Sequence, residues 1–197
     1  WMNDMLRYMS MDPYFRKDNH SLLTFLMMYA FSENFILPLS HDEVVHGKKS
    51  LLDKMFGDYG QKFDAYKAFL TYYMTIPGKK LMFMGGEIGQ FLEWRYDDEL
   101  EWNVLEIDEH KKLHSYVKAL NHTYVRNKAL WEIEQSWDGF KWINEADNEN
   151  SVVSYIRKGK NTEDLLVVAA NFTALDRYNY KLGVPYGGEY EVILHSS

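Results

Sequence analysis

Apolar positions recur at helical spacing three times before residue 130 and give way to short β-type runs after it. In "SLLTFLMMYAFS" (21–32), Leu22, Phe25, Leu26 and Tyr29 fall on the 3.6-residue period behind Ser21 as cap, which predicts a buried helix. "NFILPLS" (34–40) then predicts a short buried strand. Between residues 61 and 76, Phe63, Tyr66, Leu70 and Tyr73 repeat the helical period, and Pro77-Gly78 stops it because a proline ring cannot continue a helix. "KLMFM" (80–84) is an uninterrupted apolar run of strand length, the pattern of a strand covered on both faces. Over 109–126, Leu113, Tyr116, Val117, Leu120, Tyr124 and Val125 form one stripe opposite lysines and histidines, an amphipathic helix.

Helix, strand, helix, strand, helix implies parallel strands joined by helical crossovers. Two parallel strands alone leave faces and edges uncovered, so the expectation is the last part of a larger α/β barrel or open sheet whose earlier strands precede Trp1. Trp1 is not a translation start, which points the same way. Beyond Leu130, the runs "FKWI", "SVVSYIR", "DLLVVAANF", "YNYKLGV" and "EYEVIL" are β-branched and aromatic, and they are separated by turn signals such as Asp138-Gly139 and Gly187-Gly188. They predict an antiparallel β domain of sandwich type. It stops at "HSS" directly after a strand, so further strands are expected beyond this end too.

Of the 197 residues, 46% are apolar and 16% aromatic, ample for a core. A net charge of −7 without any basic run argues against nucleic acid, since phosphate neutralisation needs a basic surface, and favours a neutral, hydroxyl-rich partner. The absence of cysteine excludes disulfides, cysteine zinc sites and thiol catalysis, and makes a reducing cytoplasm the expected setting. No apolar run reaches membrane-span length and the opening stretch has no signal-peptide core, so neither membrane nor export is expected.

The densest chemistry lies in "LPLSHDEVVHGKKSLL" (37–52). His41 and His46 are five apart, not the four of a zinc-protease helix, and His41-Asp42-Glu43 lacks the cysteine partner that zinc deaminases require. Glu43-Val44-Val45-His46 would be half of a di-iron site, with no second half in the chain. No metal or cofactor is expected. A His-Asp pair directly after a buried parallel strand sits where barrel enzymes keep catalytic groups. The plainer reading, that Asp42 caps the next segment, stays open. "GGEIGQ" (85–90) lacks both dinucleotide and P-loop spacing and reads as a tight turn. Glu87 in that turn, with Trp94 and Trp102, are candidates to line a cleft, because tryptophans beside carboxylates suit sugar rings. Trp131, Trp137 and Trp142 are expected to pack.

"LPLSHDEVVHGKKSLLDKM" and "PGKKLMFMGGEIGQFLEW", with "WMNDMLRYMSMDP", "YAFSENF", "GFKWINEADNENSVVSYIR" and "VVAANFT", closely resemble the bacterial glycogen branching enzymes. These are 1,4-α-glucan branching enzymes of the α-amylase superfamily. The resemblance implies that residues 1–130 are the C-terminal portion of a catalytic (β/α)8 TIM barrel, with "NFILPL" and "KLMFM" as strands seven and eight. Residues 131–197 would be an incomplete C-terminal β-sandwich. It further implies retaining transfer of α-1,4-glucan chains to a 6-hydroxyl of glycogen, with the nucleophilic aspartate and acid/base glutamate upstream of Trp1. On this resemblance Asp42 stabilises the transition state and His41 binds substrate hydroxyls. The isolated chain would be inactive, and its open sheet edge would favour self-association. Many members carry tryptophan just before "QKF"; here Gly60 stands there beside Tyr59, which puts glucan stacking at that position in question. Two other readings stay open: a debranching or trehalose-forming relative, and a non-catalytic α-glucan-binding module. "SHDEVVHGK" favours branching, since the wider superfamily shares little more than His-Asp.

Overall fold

The computed structural model describes residues 1–196 of the chain. It opens with α1 (Met2–Ser10), whose Met5, Leu6, Tyr8 and Met9 are buried. The short helices α2 (Pro13–Arg16) and α3 (Ser21–Thr24) follow. Strand β1 (Ile36–Leu39) leads through a long loop to α4 (Tyr59–Thr75), and strand β2 (Lys79–Met82) leads to α5 (Asp108–Arg126). The chain then forms β3 (Phe140–Asp147), β4 (Val152–Lys158) and β5 (Leu165–Asn171).

The crossover inferred from the pattern is present: β1 and β2 pair in parallel, Ile36 opposite Lys79 and Leu39 opposite Met82, with α4 between them in the chain. Helix α4 starts two residues earlier than its apolar period. The Asp58 carboxylate accepts from Gln61 N–H while the Gln61 side chain accepts from Asp58 N–H, a reciprocal cap that contributes about 1 kcal/mol.

Three expectations need correction. The helix expected over 21–32 runs only to Thr24 and tightens into a 3₁₀ turn at Phe25–Met28. Apolar residues crowd most positions of the segment, and the buried set is Leu23, Leu26 and Met27, which leaves Phe25 and Met28 exposed. Nor is β2 covered on both faces: Leu81 is 44% exposed, because β1 is its only neighbour in a two-stranded sheet. Finally, the expected strands at 178–184 and 189–194 do not form among the described residues, since a strand exists only where a neighbouring backbone completes its ladder. The other three expected runs do form an antiparallel sheet in the order β3-β4-β5, with Val153 opposite Ala170 and Trp142 opposite Tyr155.

One core joins the helical part to this sheet. Tyr72 is its hub: the hydroxyl donates to the Leu23 carbonyl at 2.7 Å, and the ring meets Tyr155 and Phe172 edge-on at 6.1 and 5.7 Å. Arg16 is buried over the Tyr8 ring and donates to the carbonyls of Phe172 (2.6 Å), Met9 (2.9 Å) and Met11 (3.2 Å). Truncating a buried aromatic such as Tyr72 would cost about 3–5 kcal/mol, since its contacts lie in the one core shared by both parts of the chain.

His20 is a second tie. Its Nε2–H donates to the Glu145 carbonyl of β3 at 2.9 Å, while Nδ1 is buried with no partner. Burial pulls its pKa below the ordinary 6.5, against the opposing pull of the Glu145 carbonyl and the Asp147 carboxylate. A histidine whose folded pKa is depressed stabilises fully above the unfolded value, and that stability is lost as the pH falls below about 6.5. The urea midpoint is therefore expected to drop between pH 7.5 and 5.5 by more in the native protein than in His20→Gln. Equal drops would remove His20 as the cause.

Candidate functional site

Strand β1 delivers the site. Leu39 is fully buried and its carbonyl accepts from Phe83 N–H at 2.9 Å, so the chain leaves the sheet at Ser40 in an extended conformation and turns at once into a 3₁₀ turn, His41–Glu43. His41 Nε2 lies 3.3 Å from Asp42 Oδ1, and the Ser40 hydroxyl donates to Asp42 Oδ2 at 3.2 Å. The two side chains are 53% and 68% exposed. Asp42 accepts no backbone N–H, so the capping role is not what holds it. The pair stands in the open at the carboxyl end of a parallel strand, able to accept from and donate to hydroxyl groups.

Glu43 behaves differently. It turns inward and is bridged by Lys48 at 3.1 Å and Lys54 at 3.5 Å. Desolvation lowers the Lys54 pKa and the Glu43 carboxylate pulls it back up. Glu43 and His46 therefore do not converge as ligands. Among the described residues no group of three or more His, Asp or Glu is placed to hold a metal ion.

Of the three cleft candidates, the structure brings one to the pair. The Trp94 ring meets His41 edge-on at 6.0 Å and Phe83 at 5.2 Å, and Trp94 N–H donates to the Val44 carbonyl at 2.8 Å. Glu87 lies in a 3₁₀ turn, Gly86–Ile88, and no hydrogen bond or ion pair joins it to His41 or Asp42. Trp102 is 52% exposed and makes no ring contact with them. Trp142 packs between Phe140 and Tyr155 as expected, whereas Trp137 is half exposed despite its contacts with Phe31 and Phe140.

The turn carrying Glu87 is fixed by its last glycine. Gly89 has φ +63°, and a Cβ there would sit 2.5 Å from Leu113 Cδ2 of α5. Gly89→Ala is expected to cost about 2 kcal/mol from the left-handed backbone and the clash, read as a lowered urea midpoint. A shift within about 0.5 kcal/mol would mean that α5 yields without strain.

Gly60, by contrast, lies exposed in the first turn of α4, and a Cβ there would meet only Asp58 Oδ1 at 3.7 Å. The missing aromatic is thus not excluded by packing. Tyr59 beside it is turned onto Phe63 (5.1 Å) and Phe91 (5.8 Å).

One residue escaped the sequence reading. The Glu93 carboxylate accepts from Gly47 N–H at 2.9 Å and from Lys49 N–H at 2.6 Å, across more than forty residues of chain. Nothing local in "FLEW" signals that partnership.

Residues 142–197 match the family described as the alpha amylase C-terminal all-beta domain. This agrees with the antiparallel sheet and the all-β character of that part. Three curated relatives carry the name 1,4-alpha-glucan branching enzyme GlgB. The one from Halothermothrix orenii is 54% identical over 196 residues, covering 100% of this chain and 31% of its own length. The one from Desulfitobacterium hafniense is 55% identical with the same coverage, and that from Clostridium perfringens is 51% identical over 197 residues, covering 100% of this chain and 30% of its own length. The chain matches branching enzymes along its whole length. It spans about a third of the length of these relatives. The resemblance first carried by "SHDEVVHGKK" is thus a property of the entire 197 residues, and the β1 loop with the Glu93-Trp94 dipeptide lies inside the part shared with the branching enzymes.

Proposed function

We propose that this chain is the C-terminal part of a glycogen branching enzyme, a retaining transferase that cuts α-1,4-glucan chains and rejoins them to a 6-hydroxyl as α-1,6 branches. The observation that carries this reading is the exposed His41–Asp42 pair at the carboxyl end of a parallel strand, within a whole-chain match to branching enzymes. In this reading residues 1–130 close a (β/α)8 barrel, with β1 and β2 as its last two strands, and residues 131–197 belong to the β-sandwich that follows. The parallel pairing of β1 and β2 through α4 supports this, because a two-strand parallel sheet with exposed Ile36 and Leu81 has the form of a piece of a closed barrel. The parent works in the cytoplasm on glycogen and its α-1,4 chains.

The chemistry follows from charge. As the glycosidic bond breaks, positive charge develops on the sugar ring, and a carboxylate held against that ring lowers the barrier. Asp42 supplies the carboxylate. His41 keeps it oriented through the 3.3 Å contact and donates to the same sugar's hydroxyls. The nucleophile and the acid/base belong to upstream barrel strands, so the 197 residues alone are inactive and their open sheet edges favour self-association.

The test is branching of amylose, read by loss of iodine colour and gain of α-1,6 linkages. It is run on this chain and on the same chain extended upstream through a complete barrel. Activity only in the extended enzyme is expected. Activity in the 197 residues alone would overturn the assignment of roles, and linkage hydrolysis without new α-1,6 bonds would turn the reading toward a debranching relative.

A further inference from the structure

His41 and Asp42 have few ties of their own. Beyond each other they touch the Ser40 hydroxyl and the rings of Phe83 and Trp94, so their pose is set by the backbone that carries them. That backbone runs from the buried end of β1 into the loop 41–58, which has no regular ladder to hold it.

The Glu43 bridges to Lys48 and Lys54 and the buried Leu51, Leu52 and Met55 anchor the middle and far end of this loop, and a dipeptide that follows β2 in the chain ties down the part between. Gly47 and Lys49 both adopt left-handed backbone, φ +84° and +66°. For Lys49 such a conformation persists only where surrounding contacts impose it. The result turns their two N–H groups toward one point, a concave arrangement that binds anions. Glu93 fills it with one carboxylate oxygen per donor, at 2.9 and 2.6 Å, and His46 Nδ1 lies 3.5 Å from the same carboxylate. The amides of Lys49 and then Gly47 hold the Glu93 carboxyl below the usual carboxylate range, so the clamp stays ionised at neutral pH. The next residue, Trp94, pins the loop a second time through Val44 and sets its ring against His41.

We propose that Glu93 is a positioning residue for the His41–Asp42 pair, acting through the Gly47–Lys49 backbone and the placement of Trp94. The proposal rests on the branching reading for the role of the pair itself, whereas the clamp is a property of the loop and is measurable without any activity. Glu93 touches no reacting group, and its carboxylate is spent on two amides. Its removal acts by loosening the loop, and small displacements of catalytic groups from productive geometry are costly in rate.

Two experiments test it. In the 197-residue chain, Glu93→Gln replaces one acceptor oxygen with a donor that faces an amide N–H. Hydrogen exchange at Gly47 and Lys49 is expected to speed at least about tenfold, and the His41 ring resonances to move, while exchange in α4 and α5 stays as in the native chain. Unchanged exchange at those two amides would overturn the clamp. In the extended enzyme, Glu93→Gln is expected to lower kcat for amylose branching on the order of tenfold with KM changed less than about twofold. The same substitution made on top of Asp42→Ala is expected to add nothing, because a residue that acts through the pair has no further route once the carboxylate is gone. An equal tenfold loss in both backgrounds would mean that Glu93 acts elsewhere and would overturn the positioning role. If Asp42→Ala were itself fully active, the function of the pair would fall, and with it the catalytic half of the proposal, while the exchange result would stand or fall independently.

Discussion

Asp42→Ala is expected to cut branching by about 10²–10³-fold in the enzyme extended through its barrel, the loss measured when one preorganised electrostatic group is removed from a transition state. Its melting temperature is expected to move by less than about 2 °C, since exposed substitutions away from caps and networks change stability by no more than about 0.5 kcal/mol. The structure makes this dissociation specific. Asp42 is 68% exposed and among the described residues its carboxylate is bonded to the Ser40 hydroxyl and the His41 ring alone, so nothing in the core depends on it. A structural aspartate would show the opposite pattern, with stability lost and activity falling only in proportion. Iodine-assay kinetics beside differential scanning calorimetry on one preparation separate the two. Native-like activity in the variant would remove Asp42 from the mechanism.

A large effect on stability is expected elsewhere. Arg157 of β4 is fully buried, and its guanidinium donates to the carbonyls of Thr75 (2.6 Å), Leu130 (3.1 Å) and Gly139 (3.2 Å). Thr75 ends α4 and Leu130 ends a 3₁₀ turn, so these are carbonyls that helical bonding leaves unpaired, with the negative end of the helix dipole behind the first. Gly139 ends the 3₁₀ turn before β3, so one planar cation closes the carbonyls of three element ends. Arg157→Met keeps much of the volume and removes all three donors. Each buried carbonyl left unpaired costs about 1–3 kcal/mol, so a total loss of about 4 kcal/mol is expected in urea unfolding. Arg157→Lys is expected to recover only part of it, because a single ammonium on a flexible stem cannot span three carbonyls with the fork geometry of a guanidinium. A cost below about 1 kcal/mol for Arg157→Met would show that water replaces the lost donors.

The contrast between these residues separates what was legible in the chain from what was not. Asp42 could be picked out because the signal is local: a dense charged run directly behind "ILPL", in a stretch that resembles a known family. Arg157 could not. In "SYIRKGK" it reads as one more cation at the end of a strand, and only the sheet packed on α4 turns it inward, to carbonyls 18, 27 and 82 residues away. Glu93 is the same case, since its partners lie 44 and 46 residues back and a carboxylate before a tryptophan has no pattern of its own.

Secondary structure divides along the same line. The long helices α4 and α5 were legible from periodicity, with Pro77-Gly78 as the local stop beyond α4, because their hydrogen bonds close within the segment; the Asp58 cap that starts α4 was not read from the chain. Strands close theirs with distant backbone. The runs at 140–143, 151–157 and 164–172 found each other and became β3, β4 and β5, while equally β-prone runs at 178–184 and 189–194 form no ladder among the described residues and remain irregular. The helix expected over 21–32 broke after one turn because nearly every position of the segment is apolar, so its phase is weak and packing chose Leu23, Leu26 and Met27 as the buried side. The sequence by itself determined the order of elements and the all-β character of the second part, which follow from local periodicity, and it singled out the His-Asp pair as a candidate through its local charge and its resemblance to a known family. Tertiary structure alone decided that Trp94 rather than Glu87 or Trp102 reaches His41, that Glu93 clamps the loop and that Arg157 closes the interface, because burial and distant hydrogen-bond partners are properties of the folded whole.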